Sequence, residues 1–335
     1  MERDHGWSLP TVRWATSRRL DRVSLSSASF VPEEVTVQFV FQYPDFHGLD
    51  GDMLDAGNVG ELAMRAESAG WHAFAFTEHP APSAKWLTAG GHQSLDPFVA
   101  LAHVGAVTER LQLITYIAVL PYRNPMITAK AAATVDKLSN GRFVLGVGTG
   151  YLKAEYFAVG VDFDERNEIF DEALAVMPMH WSGEPFDFAG KHFDCRGVIG
   201  RPRPVQQPIP IWIGGNSTLT LRRIAASGQG WMPLVSDAPI SPTVRSPILR
   251  TPEQVAERLG ELRDLAGERY DTLSIMIPYT DHSIHDLGRD VERHRDLLGR
   301  IAAIGTTHVA IAGPSAPHPA SSEFIQGFAE TYLSS

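Results

Sequence analysis

The order of elements constrains the fold most: helical stretches and short apolar runs alternate along the chain, with a glycine after several of the helices. Each of these glycines lies just past a helical stretch and just before an apolar run, and they are Gly70, Gly141, Gly228 and Gly305. Glycine ends helices well because it accepts the left-handed conformation of a helix C-cap. An order of helix, glycine and strand is typical of repeated βα units.

Helix starts also recur in one form. A capping side chain precedes a proline at the first helical position in Asp96-Pro97, Asn124-Pro125 and Thr251-Pro252. Gln254 follows Thr251 at the third position, which predicts a capping box. Pro178 interrupts the helical stretch "ALAVMPMHW" and predicts a kink or an early end of that helix.

The apolar runs predict eight strands, at Val35 to Phe41, Ala73 to Thr77, Leu111 to Leu120, Phe143 to Gly148, Ile209 to Gly214, Gly230 to Leu234, Leu273 to Pro278 and His308 to Ala312. Eight βα units predict an α/β fold, a (β/α)8 TIM barrel, which takes about 250 residues plus insertions. The remaining residues predict loop insertions after strands 2, 4 and 6. A doubly wound sheet is the alternative, because strand order cannot be read from one sequence.

The first 34 residues stand apart from this pattern. They are rich in Arg and Ser and lack the apolar core of a secretory signal. We therefore expect residues 1–34 to form a poorly ordered extension and residues 35–335 to form a single barrel domain.

Composition argues against several classes of partner. The net charge is -10, and no cluster of Lys and Arg is interleaved with aromatic residues, so no nucleic acid is expected. No apolar run approaches the roughly 18 residues of a membrane span. The one cysteine, Cys195, fits a reducing compartment, and we expect a cytoplasmic protein. A zinc hydrolase is disfavoured because no H-x-H lies at a strand end, so no metal is expected.

The stretch "GRFVLGVGTGYLKAE", residues 141 to 155, carries three alternate glycines, Gly146, Gly148 and Gly150. Its G-x-G-x-G spacing is not the G-x-G-x-x-G of a dinucleotide-binding turn. Alternate residues of a strand share a face, so these glycines remove side chains from the barrel interior or mouth. Either they relieve crowding there, or a planar ring lies against bare backbone beside Thr149 and Tyr151.

A second glycine pair precedes a helix, in Gly214-Gly215-Asn216-Ser217. Unpaired backbone N–H groups and the helix dipole favour a phosphate at such a turn. The alternative is a tight turn in which Ser217 or Asn216 caps the helix. Arg222 and Arg223 follow one turn later and could either support an anion or be solvated.

Glu78 and His79 lie at the end of the second strand, on the face where TIM-barrel active sites are found. A histidine at this position can exchange a proton near neutral pH. It can equally be structural and bond a loop carbonyl. His72 lies at the opposite end of the barrel and is expected to be structural.

The combined pattern resembles the luciferase-like family of flavin and deazaflavin oxidoreductases. The resemblance is carried by "AMRAESAGWHAFAFTEH" (63 to 79), the run from 96 to 155 that includes "LPYRNPMITAKAAATVDKLSNGRFVLGVGTGYLKAE", "FDERNEIFDEAL" (163 to 174) and "PIPIWIGGNSTLTLRRIAASGQGWMP" (208 to 233). It implies a TIM barrel that binds FMN or coenzyme F420 at the C-terminal ends of its strands, and the variants are most like the F420-dependent branch.

In that branch, the resemblance implies that His79 faces the deazaflavin ring and handles the substrate proton, while Glu78 touches the cofactor. It also implies a non-proline cis peptide near Tyr116-Ile117. Some sugar-phosphate dehydrogenases of the family carry a carboxylate where this chain has Tyr151, which argues against glucose 6-phosphate as substrate. Homodimerisation is implied by the resemblance alone.

These observations predict an F420-dependent oxidoreductase that moves a hydride between the deazaflavin and a small carbonyl, alcohol or enone. The expected catalytic residues are His79 and Tyr151. The expected cofactor-binding residues are Glu78, His79, Tyr116, Ile117, Gly148, Thr149, Gly150, Tyr151, Gly214, Gly215 and Asn216. One alternative is an FMN-dependent monooxygenase that uses reduced flavin and oxygen, with a flavin or F420 reductase as possible partner. Another is a flavin- or F420-binding protein without catalysis.

Overall fold

The computed structural model describes residues 12–14, 35–236 and 246–333. Within these residues, eight strands run parallel, and each pairs with the next strand along the chain. The last pairs with the first, in the register Ala310 to Val40, so the sheet closes into a barrel. The barrel strands are β2 (Val35–Gln42), β3 (Ala73–Phe76), β4 (Gln112–Thr115), β6 (Phe143–Gly148), β9 (Ile211–Gly214), β10 (Gly230–Met232), β11 (Ser274–Pro278) and β12 (His308–Ala312). The predicted TIM barrel is confirmed.

Short strands and a helix after each barrel strand complete the fold. The other strands are β1 (Val12–Trp14), β5 (Ala118–Val119), β7 (Phe186–Ala189) and β8 (Asp194–Val198). The helices are α1 (Val59–Ala69), α2 (Ala84–Thr88), α3 (Pro97–Val107), α4 (Pro125–Leu138), α5 (Lys153–Val159), α6 (Arg166–Ser182), α7 (Thr218–Ser227), α8 (Pro252–Ala266), α9 (Val291–Ala303) and α10 (Ala320–Phe328). No described helix is both long and apolar enough to cross a membrane.

The insertions lie after the predicted strands. The loop after β3 contains α2, and the connection from β6 to β9 contains α5, α6 and the β7–β8 hairpin. The loop after β10 extends partly beyond the described residues, which resume at Ser246. The α2 and α5 insertions both follow strand C-termini, so they stand at the barrel mouth where catalytic loops are found.

The helix ends follow the predicted capping chemistry with two exceptions. Asp96 accepts from Phe98 N and Val99 N at the start of α3, and Gly70 ends α1 at φ 93°. Thr251 accepts from Gln254 N, but the Gln254 side chain accepts from Arg250 N, so only half of the predicted capping box forms. Gly228 ends α7 in an extended conformation, not a left-handed one.

Side chains of the barrel strands alternate between two layers. One layer packs against the helices, and the other fills the barrel interior. The interior residues are Val40, Ala73, Ala75, Ile114, Val144, Trp212, Met232, Met276 and Ala310. Small residues leave room for a large one: a methyl group at Gly230 would lie 2.5 Å from Trp212 Cδ1. His72 and His308 close the far end, with ring centroids 5.5 Å apart, as expected for structural histidines.

Three further predictions concern the third strand, the helix at Pro178 and the N-terminal extension. The long third strand is interrupted at the Tyr116-Ile117 cis peptide, and its remainder, β5, pairs with β6. The early end of a helix at Pro178 is wrong, because α6 continues to Ser182. The expected poorly ordered extension lies outside the described residues except for β1, which pairs antiparallel with residues 35–37.

Candidate active site

His79 lies at the C-terminal end of β3, and its position is fixed from two sides. Its backbone N–H donates to Ser94 Oγ at 2.6 Å, which ties the end of the α2 insertion to the strand. Its ring Nδ1 is 3.2 Å from Glu155 Oε2, and only 10% of its side chain is exposed. Because Nδ1 is engaged by a carboxylate, Nε2 is the ring nitrogen left for a substrate.

Glu155 is a fully buried carboxylate in the first turn of α5. Besides His79, it accepts from the Tyr122 hydroxyl at 2.8 Å and from Ala81 N at 3.4 Å. Burial of a carboxylate is costly unless it is hydrogen-bonded, and these three groups satisfy it. The carboxylate therefore orients the His79 ring through Nδ1.

Aromatic rings surround the exposed edge of His79. Its centroid lies 4.5 Å from that of Trp86, 4.8 Å from that of His92 and 6.1 Å from that of Tyr151. Burial raises the pKa of Tyr151, and the nearby carboxylates of Glu155 and Asp45 raise it further, so its hydroxyl is protonated at neutral pH. Tyr151 can therefore donate a hydrogen bond in this site.

Asp45 brings a second carboxylate to the mouth, from the loop after β2. It accepts from Gln42 Nε2 at 2.6 Å and from Thr77 Oγ1 at 3.2 Å. His92 Nδ1 lies 3.4 Å from its Oδ1. Together with burial, which is the larger cause, Asp45 raises the pKa of Tyr116.

The floor of the mouth is formed by Ile117. Gly148 and Gly214 lie on adjacent strands, and a methyl group on either would lie 2.4 Å or 2.6 Å from Ile117 Cδ1. Their faces are therefore covered by the isoleucine and not bare. Deeper in the barrel, a methyl group at Gly146 would lie 2.0 Å from the Thr115 carbonyl oxygen. The glycines thus relieve crowding, and a planar ring at this mouth would rest on Ile117.

The Glu78 carboxylate is hydrogen-bonded within the protein and is not free at the barrel mouth. It is buried, and it accepts from Val119 N at 2.6 Å and from Arg123 Nη1. Burial raises its pKa against the opposing effect of Arg123. Its evident role is to anchor the chain after the cis peptide. Nearby, the Thr149 carbonyl accepts from the Tyr156 hydroxyl, and Gly150 turns the chain at φ 65°.

The turn before α7 has the predicted shape, with Ser217 as the helix cap accepting from Thr220 N at 3.1 Å. Gly215 takes φ 110°, which favours glycine. Asn216 is fully buried, and its backbone N–H donates to Ser246 Oγ at 2.9 Å. The Asn216 side chain is bonded to the backbone of Leu234 and Pro247, so neither it nor the Asn216 N–H is free at the turn.

Three arginines lie near this turn and differ in what they bind. Arg223 pairs with Asp171 at 2.6 Å and is buried, so it does not serve an anion there. Arg222 is exposed. Arg258, from α8, donates to the Asn216 carbonyl at 2.6 Å, and its Nε is buried without a hydrogen-bond partner. Arg258 Nη1 also pairs with Glu261 at 2.5 Å, so Arg258, like Arg223, already has a carboxylate partner.

A possible group of metal ligands among the described residues lies elsewhere, at Glu165, Glu168 and His192. Lys191 Nζ already pairs with both carboxylates, at 3.1 Å from Glu165 and 2.6 Å from Glu168. Ion pairing with Lys191 explains these acidic residues without a metal.

The structure adds residues to the site that sequence reasoning missed: Asp45, Trp86, His92 and Glu155. Glu155 had a usable signal, because it lies four residues after Tyr151 at the start of a helix. Asp45 lies three residues after the end of β2, and Glu78 lies two residues after the end of β3. Trp86 and His92 lie in a long insertion, and nothing local indicates that it folds over His79.

Comparison with known proteins places this geometry in context. The profile of the luciferase-like monooxygenase family matches residues 38–243. The uncharacterized protein Rv0940c of Mycobacterium tuberculosis is 37% identical over 142 residues, 42% of this chain and 49% of that protein. The F420-dependent glucose-6-phosphate dehydrogenase of Gordonia bronchialis is 30% identical over 187 residues, 54% of each chain. The chain spans about half the length of the curated relatives it matches.

Solved structures share the fold across most of the chain. The monooxygenase RslO1 from Streptomyces bottropensis is 21% identical with a TM-score of 0.66, covering 88% of this chain and 98% of its own. An F420-dependent secondary alcohol dehydrogenase in complex with an F420-acetone adduct is 18% identical with a TM-score of 0.65, at the same coverage. At these identities the likeness supports the barrel fold alone.

Proposed function

The chain belongs to the luciferase-like monooxygenase family, and from this premise we propose that it is an F420-dependent oxidoreductase acting on a small neutral carbonyl, alcohol or enone. The observation that carries the proposal is the His79–Glu155 pair at the barrel mouth, 3.2 Å apart and beside the Ile117 floor. A buried carboxylate bound to one ring nitrogen leaves the other free to exchange a substrate proton.

The residues at the mouth fit a deazaflavin. Ile117 provides an apolar surface on which a planar ring would rest, and Gly148 and Gly214 leave the space that the Ile117 side chain occupies. An anionic tail would bind at the N-terminus of α7, where the helix dipole favours negative charge. When bound, a deazaflavin supplies a hydride acceptor or donor. Relatives named as F420-dependent, 30% and 32% identical to this chain, favour this cofactor over FMN.

In this proposal His79 gives or takes the substrate proton at Nε2. Glu155 holds the ring in the tautomer with a proton on Nδ1 and compensates the charge of the imidazolium. Tyr151, whose hydroxyl stays protonated, would donate a hydrogen bond to the substrate oxygen. Trp86 and the rest of the α2 insertion would keep water away from the reacting atoms.

The electrostatics favour a neutral substrate. Asp45 and Glu155 place two carboxylates at the mouth, and both raise the pKa of Tyr151. The same negative potential disfavours a phosphorylated substrate in that position. The resemblance adds that some sugar-phosphate dehydrogenases of the family carry a carboxylate where this chain has Tyr151. We therefore propose a small, moderately apolar substrate and not glucose 6-phosphate.

An FMN-dependent monooxygenase is the second candidate, favoured by the name of the matched family. Parallel titration of the purified protein with F420 and FMN separates the two, because the cofactors differ in absorption. Tight binding of FMN together with oxygen consumption would favour the monooxygenase. If neither F420 nor FMN binds, the protein does not carry out this chemistry.

The role of His79 has its own test. His79→Ala should lower turnover about 10²-fold, the loss typical of an acid/base group, with F420 affinity largely kept. His103→Ala is the matched control, because His103 is exposed on the outer helix α3. Turnover by His79→Ala at the wild-type rate would contradict the role.

A further inference from the structure

We propose that His92, paired with Asp45, exchanges protons between His79 and solvent. This inference rests on the proposed function, in which His79 handles the substrate proton. It makes His92 a residue that acts through His79 and not one that touches the substrate.

Two imidazole–carboxylate pairs meet at the mouth. His79 pairs with Glu155 at 3.2 Å, and His92 pairs with Asp45 at 3.4 Å. The two rings are edge to face, with centroids 4.8 Å apart and planes at 81°. This separation allows a proton to pass directly after a small ring movement or through one bridging water.

Exposure increases from one pair to the other. Glu155 is fully buried, and 10% of the His79 side chain is exposed. The His92 and Asp45 side chains are each 17% exposed. Trp86 covers His79 further, with ring centroids 4.5 Å apart. His92 is thus the more solvent-accessible imidazole in contact with His79.

Enclosure creates the need for an exchange partner. A proton that His79 gives to substrate must be replaced before the next turnover. The Trp86 ring, which would exclude water from the reacting atoms, also hinders water from returning that proton. His92 Nδ1 lies 2.9 Å from the Gln93 carbonyl and 3.4 Å from Asp45, so Nδ1 carries a proton and Nε2 is the exchanging atom.

The exchange step balances without electron transfer. An N–H bond at His92 Nε2 breaks as one forms at His79, and water returns a proton to His92. In the reverse direction His92 accepts the proton that His79 has taken from an alcohol. Asp45 lies beside His92 as Glu155 lies beside His79, so each imidazole has a carboxylate next to it.

A purely structural role for His92 is the competing explanation, since its backbone bridges to that of His47 and its ring nitrogen bonds the Gln93 carbonyl. The two explanations differ in kinetics. A loop anchor affects stability and binding, whereas an exchange partner sets the rate at which His79 equilibrates with water.

The test uses the protein without cofactor, labelled with 15N at histidine. NMR exchange spectroscopy measures how fast the His79 ring exchanges its proton with water, and the His79 signal is assigned by its loss in His79→Gln. His92→Gln should slow this exchange about tenfold or more, and added imidazole should restore it. His282→Gln is the matched control and should exchange as wild type, because His282 lies in the loop after β11.

An unchanged exchange rate in folded His92→Gln would overturn the proposal. If that variant fails to fold by circular dichroism, Asp45→Asn with His92 retained should slow exchange in the same direction, and wild-type exchange there would equally overturn it. The assay needs neither F420 nor substrate. A protein that fails to bind F420 yet shows the exchange effect would therefore contradict the proposed function alone.

Discussion

Replacing Gly146 by alanine tests whether the barrel glycines exist to relieve crowding. The added methyl carbon would lie 2.0 Å from the Thr115 carbonyl oxygen and 2.8 Å from Met232 Cε. An ordinary carbon–oxygen contact needs roughly 3.3 Å, so the shortfall is about 1.3 Å. Met232 can rotate, but the carbonyl belongs to the neighbouring strand β4, and only backbone movement relieves that contact.

The expected cost follows from this distinction. Overpacking of a core costs about 1 to 3 kcal/mol, and forced backbone movement puts Gly146→Ala at about 3 kcal/mol. With an m-value of about 3 kcal/mol/M, the urea midpoint should fall by about 1 M. Gly148→Ala meets only Ile117 Cδ1, at 2.4 Å, the end of a flexible side chain. It should cost less than about 1 kcal/mol but weaken cofactor binding, because Ile117 must leave the floor.

Urea unfolding followed by tryptophan fluorescence and circular dichroism measures both variants. Gly260→Ala in α8 is the control of opposite sign, because a methyl group there would meet nothing within 4 Å. Removing glycine from a helix should stabilise the protein by about 1 kcal/mol. Equal losses for Gly146→Ala and Gly148→Ala, or a wild-type midpoint for Gly146→Ala, would refute the crowding argument.

Three further predictions concern buried polar groups. Asp136 is fully buried and accepts from Val205 N at 2.6 Å and from Gln206 Nε2 at 2.7 Å, so Asp136→Asn should lower the free energy of unfolding by about 2 kcal/mol in urea titrations. Burial lowers the pKa of His72 to about 4 and that of His308 to about 3. Both histidines bind protons more weakly folded than unfolded, so stability should be unaffected above about pH 6.5 and fall below it by up to about 1.4 kcal/mol per pH unit for each histidine. Unfolding midpoints compared at pH 7 and pH 5 check this, and a flat profile would contradict it. Glu155→Gln should reduce turnover about 10²-fold while F420 affinity, measured by absorbance titration, stays within a few-fold of wild type.

Much of the barrel was predictable because its signals are local. The run Phe143 to Gly148 matches β6 in full, and His308 to Ala312 matches β12. The pattern of apolar residues and the glycines that end the helices identify such strands from a few neighbouring positions. The third strand was predicted too long, because a continuous apolar run does not record where a chain leaves the sheet.

The site was predictable only where it lies at strand ends. His79 could be singled out because it lies three residues after the end of β3, and Ile117 because of family resemblance. Its partners come from other segments: Glu155 from α5, 76 residues away, and His92 from an insertion that folds back. Such pairings depend on tertiary packing of long loops, for which one sequence carries no periodic signal.

Asn216 fastens two distant stretches of chain to one amide. Its Nδ2 donates to the carbonyls of Leu234 and Pro247, both at 2.7 Å, and its Oδ1 accepts from Leu234 N at 2.9 Å. The segment between Leu234 and Pro247 can therefore vary in length and sequence while the turn at Asn216 keeps its shape. Grafting a different loop between Leu234 and Pro247 should therefore leave the Asn216 turn in place.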